Sequence, residues 1–356
     1  MHTDAAPHRP SPSLATWLIA CLSLLGAFAL SGCDKPTRDV YQPVADSAEI
    51  SAWFYHLVLA VDAVILAIVV TILVVAIVRF RKKPGDEELP PQSFGNMKME
   101  VAWTVIPTLI VIGITVPTLG GIFELARKPD LNQKIIEVEV TGKQWWWEFD
   151  YAKEKLNTAN ELHVEVGTQV ILNMTSADVI HSWWVPRIGG KRDANPGRRY
   201  PFYFRPYQVG TFDGQCAELC GASHALMGTR VIVHPKTGAD SYEAWVAREQ
   251  QQAQKPATPQ QEAGQKVFMT KGCVACHTIR GVSELAVGAR SRTSGPNLTH
   301  VGGRTSIAAR TLPMTAQNIA KWVKNPQAVK QGALMTNLGL SDEEATAVGA
   351  YLASLK

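Results

Sequence analysis

The sequence predicts a multi-domain membrane protein: a two-helix transmembrane hairpin, an all-β Greek-key domain, and a final all-α domain. Three observations predict it. Two apolar runs are long enough to cross a bilayer, short β-rich runs follow them, and a polar, proline-interrupted tether precedes a last helical segment. Of the 356 residues 46% are hydrophobic and only 19% charged, with ten tryptophans, which is apolar for a soluble chain. The net charge of +4 is small and scattered, which argues against nucleic acid as a partner.

Residues 1–32 read as an export signal. A weakly basic leader is followed by the short apolar run "LATWLIACLSLLGAFAL" and by the small residues Ser31-Gly32, the pattern of a cleaved signal peptide. "LSGC" resembles a lipobox, which would make Cys33 the lipidated first residue of the mature chain. Within the segment 33–124, residues 53–78 would reach about 39 Å as a helix and residues 101–123 about 34 Å. Both exceed the ~30 Å hydrocarbon core. Arg79, Arg81, Lys82 and Lys83 between them place that loop in the cytoplasm, so everything after 124 lies outside. The export signal gives the same topology.

From 125 to 248 the pattern changes to "KIIEVEVTGKQWWWEFDY", "ELHVEVGTQVILNMTS", "VIHSWWV", "YPFYF" and "GTRVIVHP". Short strands at this spacing, separated by turn residues, indicate a Greek-key sandwich or barrel. The same region holds "GQCAELCGASHALM" at 214–227. Paired thiols outside the cytoplasm default to a disulfide. Against that stand His224 and Met227 just downstream and His181 upstream, because thiolate, imidazole and thioether together suit copper. Two cysteines so spaced could bridge a pair of copper ions, each completed by one histidine.

Residues 249–261 are a glutamine-rich linker, with the composition of a flexible tether that runs on to about residue 265. Within 262–356, "CVACH" is the C-x-x-C-H pattern of covalent haem attachment, through Cys273 and Cys276 with His277 as axial ligand. This last segment carries 11 Lys and Arg against 5 Asp and Glu, a net of +6. That balance would favour docking on an acidic surface.

"HSWWVP", "GKRDANPGR" and "GQCAELCGASHALM" resemble the binuclear copper A domain of cytochrome c oxidase subunit II, and the two spans and "QWWWEFDY" fit the same family. The resemblance covers roughly residues 45–235 and implies a cupredoxin-like fold. It implies copper ligands at His181, Cys216, the carbonyl of Glu218, Cys220, His224 and Met227. The Glu218 carboxylate would reach a magnesium ion shared with subunit I, Trp145 would receive electrons, and Glu100 would open a proton path into subunit I. The C-terminal segment resembles a class I cytochrome c, with "GPNL" after the haem motif, which implies Met335 as sixth ligand and Met314 as its competitor. Proline usually follows that methionine, and Thr336 stands here instead. Together these imply subunit II of a bacterial haem–copper oxidase with a fused cytochrome c. Electrons would pass from haem c through the copper pair to subunit I, where oxygen is reduced to water and protons are pumped. The partners implied are subunits I and III, a donor cytochrome c or membrane complex, and the bacterial plasma membrane, with the cofactor domains on its outer side.

Overall fold

The structure, a computed structural model, describes residues 39–82, 84–85, 91–92, 94–283 and 294–356. The export signal, Cys33 and Lys83 lie outside the described residues. The spans are α1 (Asp46–Arg79) and α2 (Met97–Leu125). Their most apolar windows have mean hydropathies of 3.1 and 2.0, and Leu66, Ile77, Val116 and Phe123 stand exposed along them. Pro107 and Pro117 lie inside α2, as membrane helices tolerate.

Helix α1 starts seven residues before the apolar run, and its first turns belong to the β domain. Val44 and Ala45 join that domain's core. The Val44 N–H donates to the Arg187 carbonyl at 2.8 Å, and the Ser47 hydroxyl donates to the Ile188 carbonyl at 2.6 Å. Ser47, Ala48 and Ala52 are buried. The β domain therefore does not begin cleanly at 125. These small side chains add little hydropathy, but they let the helix lie flush against the sheet.

The β domain contains β1 (Ile135–Lys143), β2 (Trp146–Tyr151), β3 (Leu156–Ala159), β4 (Glu161–Glu165) and β5 (Gln169–Ser176). It continues with β6 (His181–Trp184), β7 (Arg192–Ala194), β8 (Tyr200–Phe204), β9 (Gly210–Cys216) and β10 (Gly228–His234). They form two five-stranded sheets, ordered β3-β2-β1-β5-β8 and β4-β10-β9-β6-β7. β1 runs parallel to β5, with Val140 opposite Met174, and β10 runs parallel to β4; the remaining pairs are antiparallel. Alternation puts Ile136, Val138 and Val140 of β1 inward against Trp147, Phe149, Leu172, Met174 and Trp183. Each such side chain contributes about 1.5–3 kcal/mol by leaving water. Helix α3 (Tyr242–Glu249) closes the domain, with Trp245 stacked on His163 at 4.2 Å between ring centroids.

The tether differs from its reading as a flexible segment. Its second half is helical: Thr258 caps α4 (Pro259–Thr270), with proline at the helix start. Proline there gives up no hydrogen bond and has its backbone angle already set. The remainder is pinned as well. The Ala253 N–H donates to the Arg280 carbonyl at 3.1 Å, and the Arg280 guanidinium donates to the Glu249 carbonyl at 2.9 Å. The C-terminal domain adds α5 (Ala316–Lys324), α6 (Pro326–Val329) and α7 (Asp342–Ser354). A short ladder, β11 (Ser306–Ile307) with β12 (Leu312–Pro313), makes it not strictly all-α. Ser341 and Glu344 form a reciprocal cap on α7. Phe268, Ile319, Val323, Val348, Tyr351 and Leu352 make the core.

Candidate functional site

Strand pairing builds the first site. Trp183 of β6 lies opposite Cys216 of β9, which brings His181 to the end of β9, where the loop 217–227 begins. That loop folds back on itself, the Cys216 N–H donating to the Met227 carbonyl at 2.9 Å. The Cys216 and Cys220 sulfurs are 3.8 Å apart. Cys216 Sγ lies 4.0 Å from His181 Nδ1 and 3.3 Å from the Glu218 carbonyl. Cys220 Sγ lies 3.5 Å from His224 Nδ1 and 3.8 Å from Met227 Sδ. The ligand atoms of His181, Cys216 and Cys220 all fall within 4.8 Å of one another, and all three residues are buried. Both cysteines are free thiols.

Electrostatics favour an ion here. The hydrogen bond between the two sulfurs holds the Cys216 thiol below the ordinary thiol range and pushes Cys220 above it. A bound metal ion would take the place of the thiol protons. Sequence reasoning missed Asp178, whose Oδ1 bonds His181 Nε2 at 2.7 Å. This bond leaves His181 Nδ1 toward the sulfurs, the tautomer a metal ligand needs. Its other oxygen accepts the Gln144 N–H at 2.7 Å. A carboxylate three residues before a ligating histidine was the available signal. Gly142 is required where it stands, because a Cβ there would lie 2.7 Å from His181 Cδ2.

The second site is a cavity of about 390 Å³, lined by Phe268, Leu298, Ile319 and Leu352. Cys273, Cys276, His277 and Met335 also line it, and Met314 packs on the core outside that lining. The His277 Nδ1–H donates to the Pro296 carbonyl at 2.8 Å, leaving Nε2 as a lone-pair donor. A Cβ at Gly295 would lie 2.4 Å from His277 Cε1, so only glycine fits beneath that ring. The lining also includes Arg304, a half-buried cation whose pKa desolvation lowers and which nothing in the sequence pattern singled out. An apolar slot with two thiols, an imidazole, a thioether and one half-buried cation fits a covalently held haem.

Trp145 lies between the two sites. It is buried, its indole N–H donates to the Cys220 carbonyl at 3.0 Å, and it lines the cavity.

Residues 40–120 match the family model described as cytochrome c oxidase subunit II, transmembrane domain. Residues 153–234 match its periplasmic domain, and residues 261–356 match cytochrome c. A cytochrome c oxidase subunit 2 from Alkalihalophilus pseudofirmus is 36% identical over 343 residues, 94% of this chain and 96% of its own length. The chain belongs to the cytochrome c oxidase subunit II family. A quinol oxidase subunit 2 from Bacillus anthracis is 30% identical over 248 residues, covering 68% of this chain and 83% of its own. The crystal structure of the periplasmic domain of subunit II from Bradyrhizobium japonicum shares 32% identity, covering 32% of this chain and 92% of that one, with a TM-score of 0.30.

As a subunit II with a cytochrome c domain, the chain works within a multi-subunit haem–copper oxidase, and its two family domains imply copper and haem. It is a membrane protein whose β domain lies outside the cytoplasm. Glu100 sits in the first turn of α2, where its carboxylate accepts the Asn96 N–H at 3.1 Å while the Asn96 side chain caps Lys98 and Met99. The Glu218 side chain is exposed.

Proposed function

We propose that this subunit takes electrons at a haem c held by Cys273, Cys276, His277 and Met335. It hands them through a binuclear copper centre held by His181, Cys216, the Glu218 carbonyl, Cys220, His224 and Met227 to subunit I, for oxygen reduction coupled to proton pumping. The observation that carries this reading is Trp145, with its ring in the lining of the cavity and its N–H on the Cys220 carbonyl. When bound, the two groups supply one-electron chemistry, and the chain's residues bind, orient and insulate them. His181 is oriented by Asp178, His277 by Pro296, and the apolar walls of the cavity keep water from the haem. Those six ligands would leave no open position on bound copper, which would suit electron transfer rather than bond making.

The same reading gives Glu218 a magnesium ion shared with subunit I, to which its exposed side chain is free to reach. Glu100 collects protons at the cytoplasmic end of α2, Cys33 carries lipid, and the complex sits in the bacterial plasma membrane with subunits I and III and an outside donor. Metal and haem analysis of the purified chain tests the core of it: two coppers and one iron are expected. Cys216→Ser should remove the mixed-valence paramagnetic signal, since oxygen is a poor substitute for a bridging thiolate. A variant that keeps two coppers and a delocalised signal would refute the bridging assignment.

A further inference from the structure

The C-terminal domain's positive charge has a destination within the chain. Lys330 follows α6, is only 4% exposed, and its ammonium donates to three backbone carbonyls. They are those of Trp145 at 2.6 Å, Leu226 at 2.9 Å and Ala308 at 3.1 Å. Two of these belong to the β domain. Burial brings the Lys330 pKa down to about 7, a measure of the hydration the site has taken from it. Arg310 reaches the β domain too, bonding Asp213 at 2.5 Å and the Gly214 carbonyl at 2.9 Å. The Thr305 N–H donates to buried Glu161 at 2.9 Å, the Gly228 N–H to the Ala309 carbonyl at 3.1 Å, and the Ser223 hydroxyl to the Gln331 carbonyl.

The turn that carries these contacts is strained. Ala308, Ala309 and Arg310 all hold positive φ, at 53°, 57° and 65°. Three consecutive non-glycine residues in the left-handed region are strained and persist only where surroundings over-determine them. Here the surroundings are the β domain and Lys330: the Ala308 and Ala309 carbonyls accept from Lys330 and Gly228.

We propose that the haem domain docks on its own copper domain in a single pose, fixed by Lys330 and the Ala308–Arg310 turn, and that Lys330 is the positioning residue that seats Trp145 between the two sites. Of the domain's cations, Arg310 meets a carboxylate of the β domain, Asp213, which Arg230 also pairs, and Lys330 meets backbone carbonyls instead. An outside one-electron donor would therefore be shut out of that face of the copper domain. The inference rests on the reading of the cofactor sites for its consequence, while the docking itself stands on the contacts alone.

The test uses the intact oxidase and two readouts. Hydrogen exchange at the Gly228 and Thr305 amides, which donate across the contact, should be slow in the native chain and roughly tenfold or more faster in Lys330→Met. Amides of the β1–β5 ladder and α7 should be unchanged. Light-triggered electron transfer from haem to copper should slow about tenfold or more in the same variant, with haem absorption and the copper signal unaltered. Lys330→Arg, which keeps charge and donors, should restore both. Unchanged exchange, or faster exchange with an undiminished transfer rate, would overturn the proposal. Should Lys330→Met fail to accumulate, Arg310→Gln must speed Gly228 exchange, and a folded Arg310→Gln chain with native protection would overturn it equally. A native chain without haem or copper would sink the functional reading and leave the exchange result standing.

Discussion

Replacing Asp178 by asparagine isolates the support of one copper ligand, because the side chain keeps its shape and loses its charge. The carboxylate bonds His181 Nε2, the Gln144 N–H and the Val179 N–H, each at 2.7 Å. Its pKa is lowered on balance: burial, the largest influence, pushes it up, and the bond to His181 and the two N–H donors pull it down further. A hydrogen bond to a charged group contributes about 1.5–3 kcal/mol. Losing the charge on the His181 contact alone should therefore weaken copper binding roughly 10–100-fold, the range found when partners of metal-ligating histidines are removed. Competition against a chelator of known affinity measures the loss, and the paramagnetic signal of the remaining loaded protein shows whether the ligand set is intact. Affinity within about threefold of the native chain would refute the argument that Asp178 orients His181.

Three further outcomes are expected. His163 Nδ1 bonds His234 Nε2 at 2.8 Å, and His234 Nδ1 donates to the Asp240 carbonyl at 2.8 Å, so both rings are built in as neutral. Burial lowers both pKa values from the ordinary 6.5. The unfolded chain then takes up protons first as pH falls below 6.5, and stability drops by up to about 1.4 kcal/mol per pH unit for each histidine. Thermal unfolding at pH 7 and 5.5 should show a slope that flattens in His163→Phe, and an equal slope would contradict this. Met335→Leu should change the haem spectrum and Met314→Leu should not; the reverse result would move the sixth ligand to Met314. Gly295→Ala should displace His277, costing about 1–3 kcal/mol of stability and disturbing the haem spectrum, and a native spectrum and melting point would show that the ring has room to spare.

Composition and run length carried most of the fold in the sequence. The β-rich run that holds Ile136, Val138 and Val140 placed β1, and the long apolar runs placed α1 and α2. What stayed hidden follows a pattern. The early start of α1 depends on Ala45, Ser47 and Ala48, whose small side chains matter for fit rather than hydropathy. The tether's order depends on Arg280 and Thr258 meeting carbonyls and amides that composition does not show. Donor types and spacing made Cys216, Cys220, His224 and Cys273–His277 legible. Arg304 and Lys330 were not, because each acts on bare backbone, and Asp178 left only the weak signal of a carboxylate three residues before His181. The +6 balance was visible, but its direction depended on the fold.

The manner in which α1 leaves the β domain has a mechanical consequence. No loop separates Ala48 and Ala52, packed on the sheet, from the apolar turns that follow within the same helix. The β domain is therefore phased to the membrane as a gear is to its shaft. One residue inserted after Ala52 would lift the copper ligands by about 1.5 Å and turn them through roughly 100° relative to the span. A partner chain that grips both the span and the β domain would meet a rotated face after a single-residue change, whereas insertion of seven residues would bring the face back close to register, about 10 Å higher.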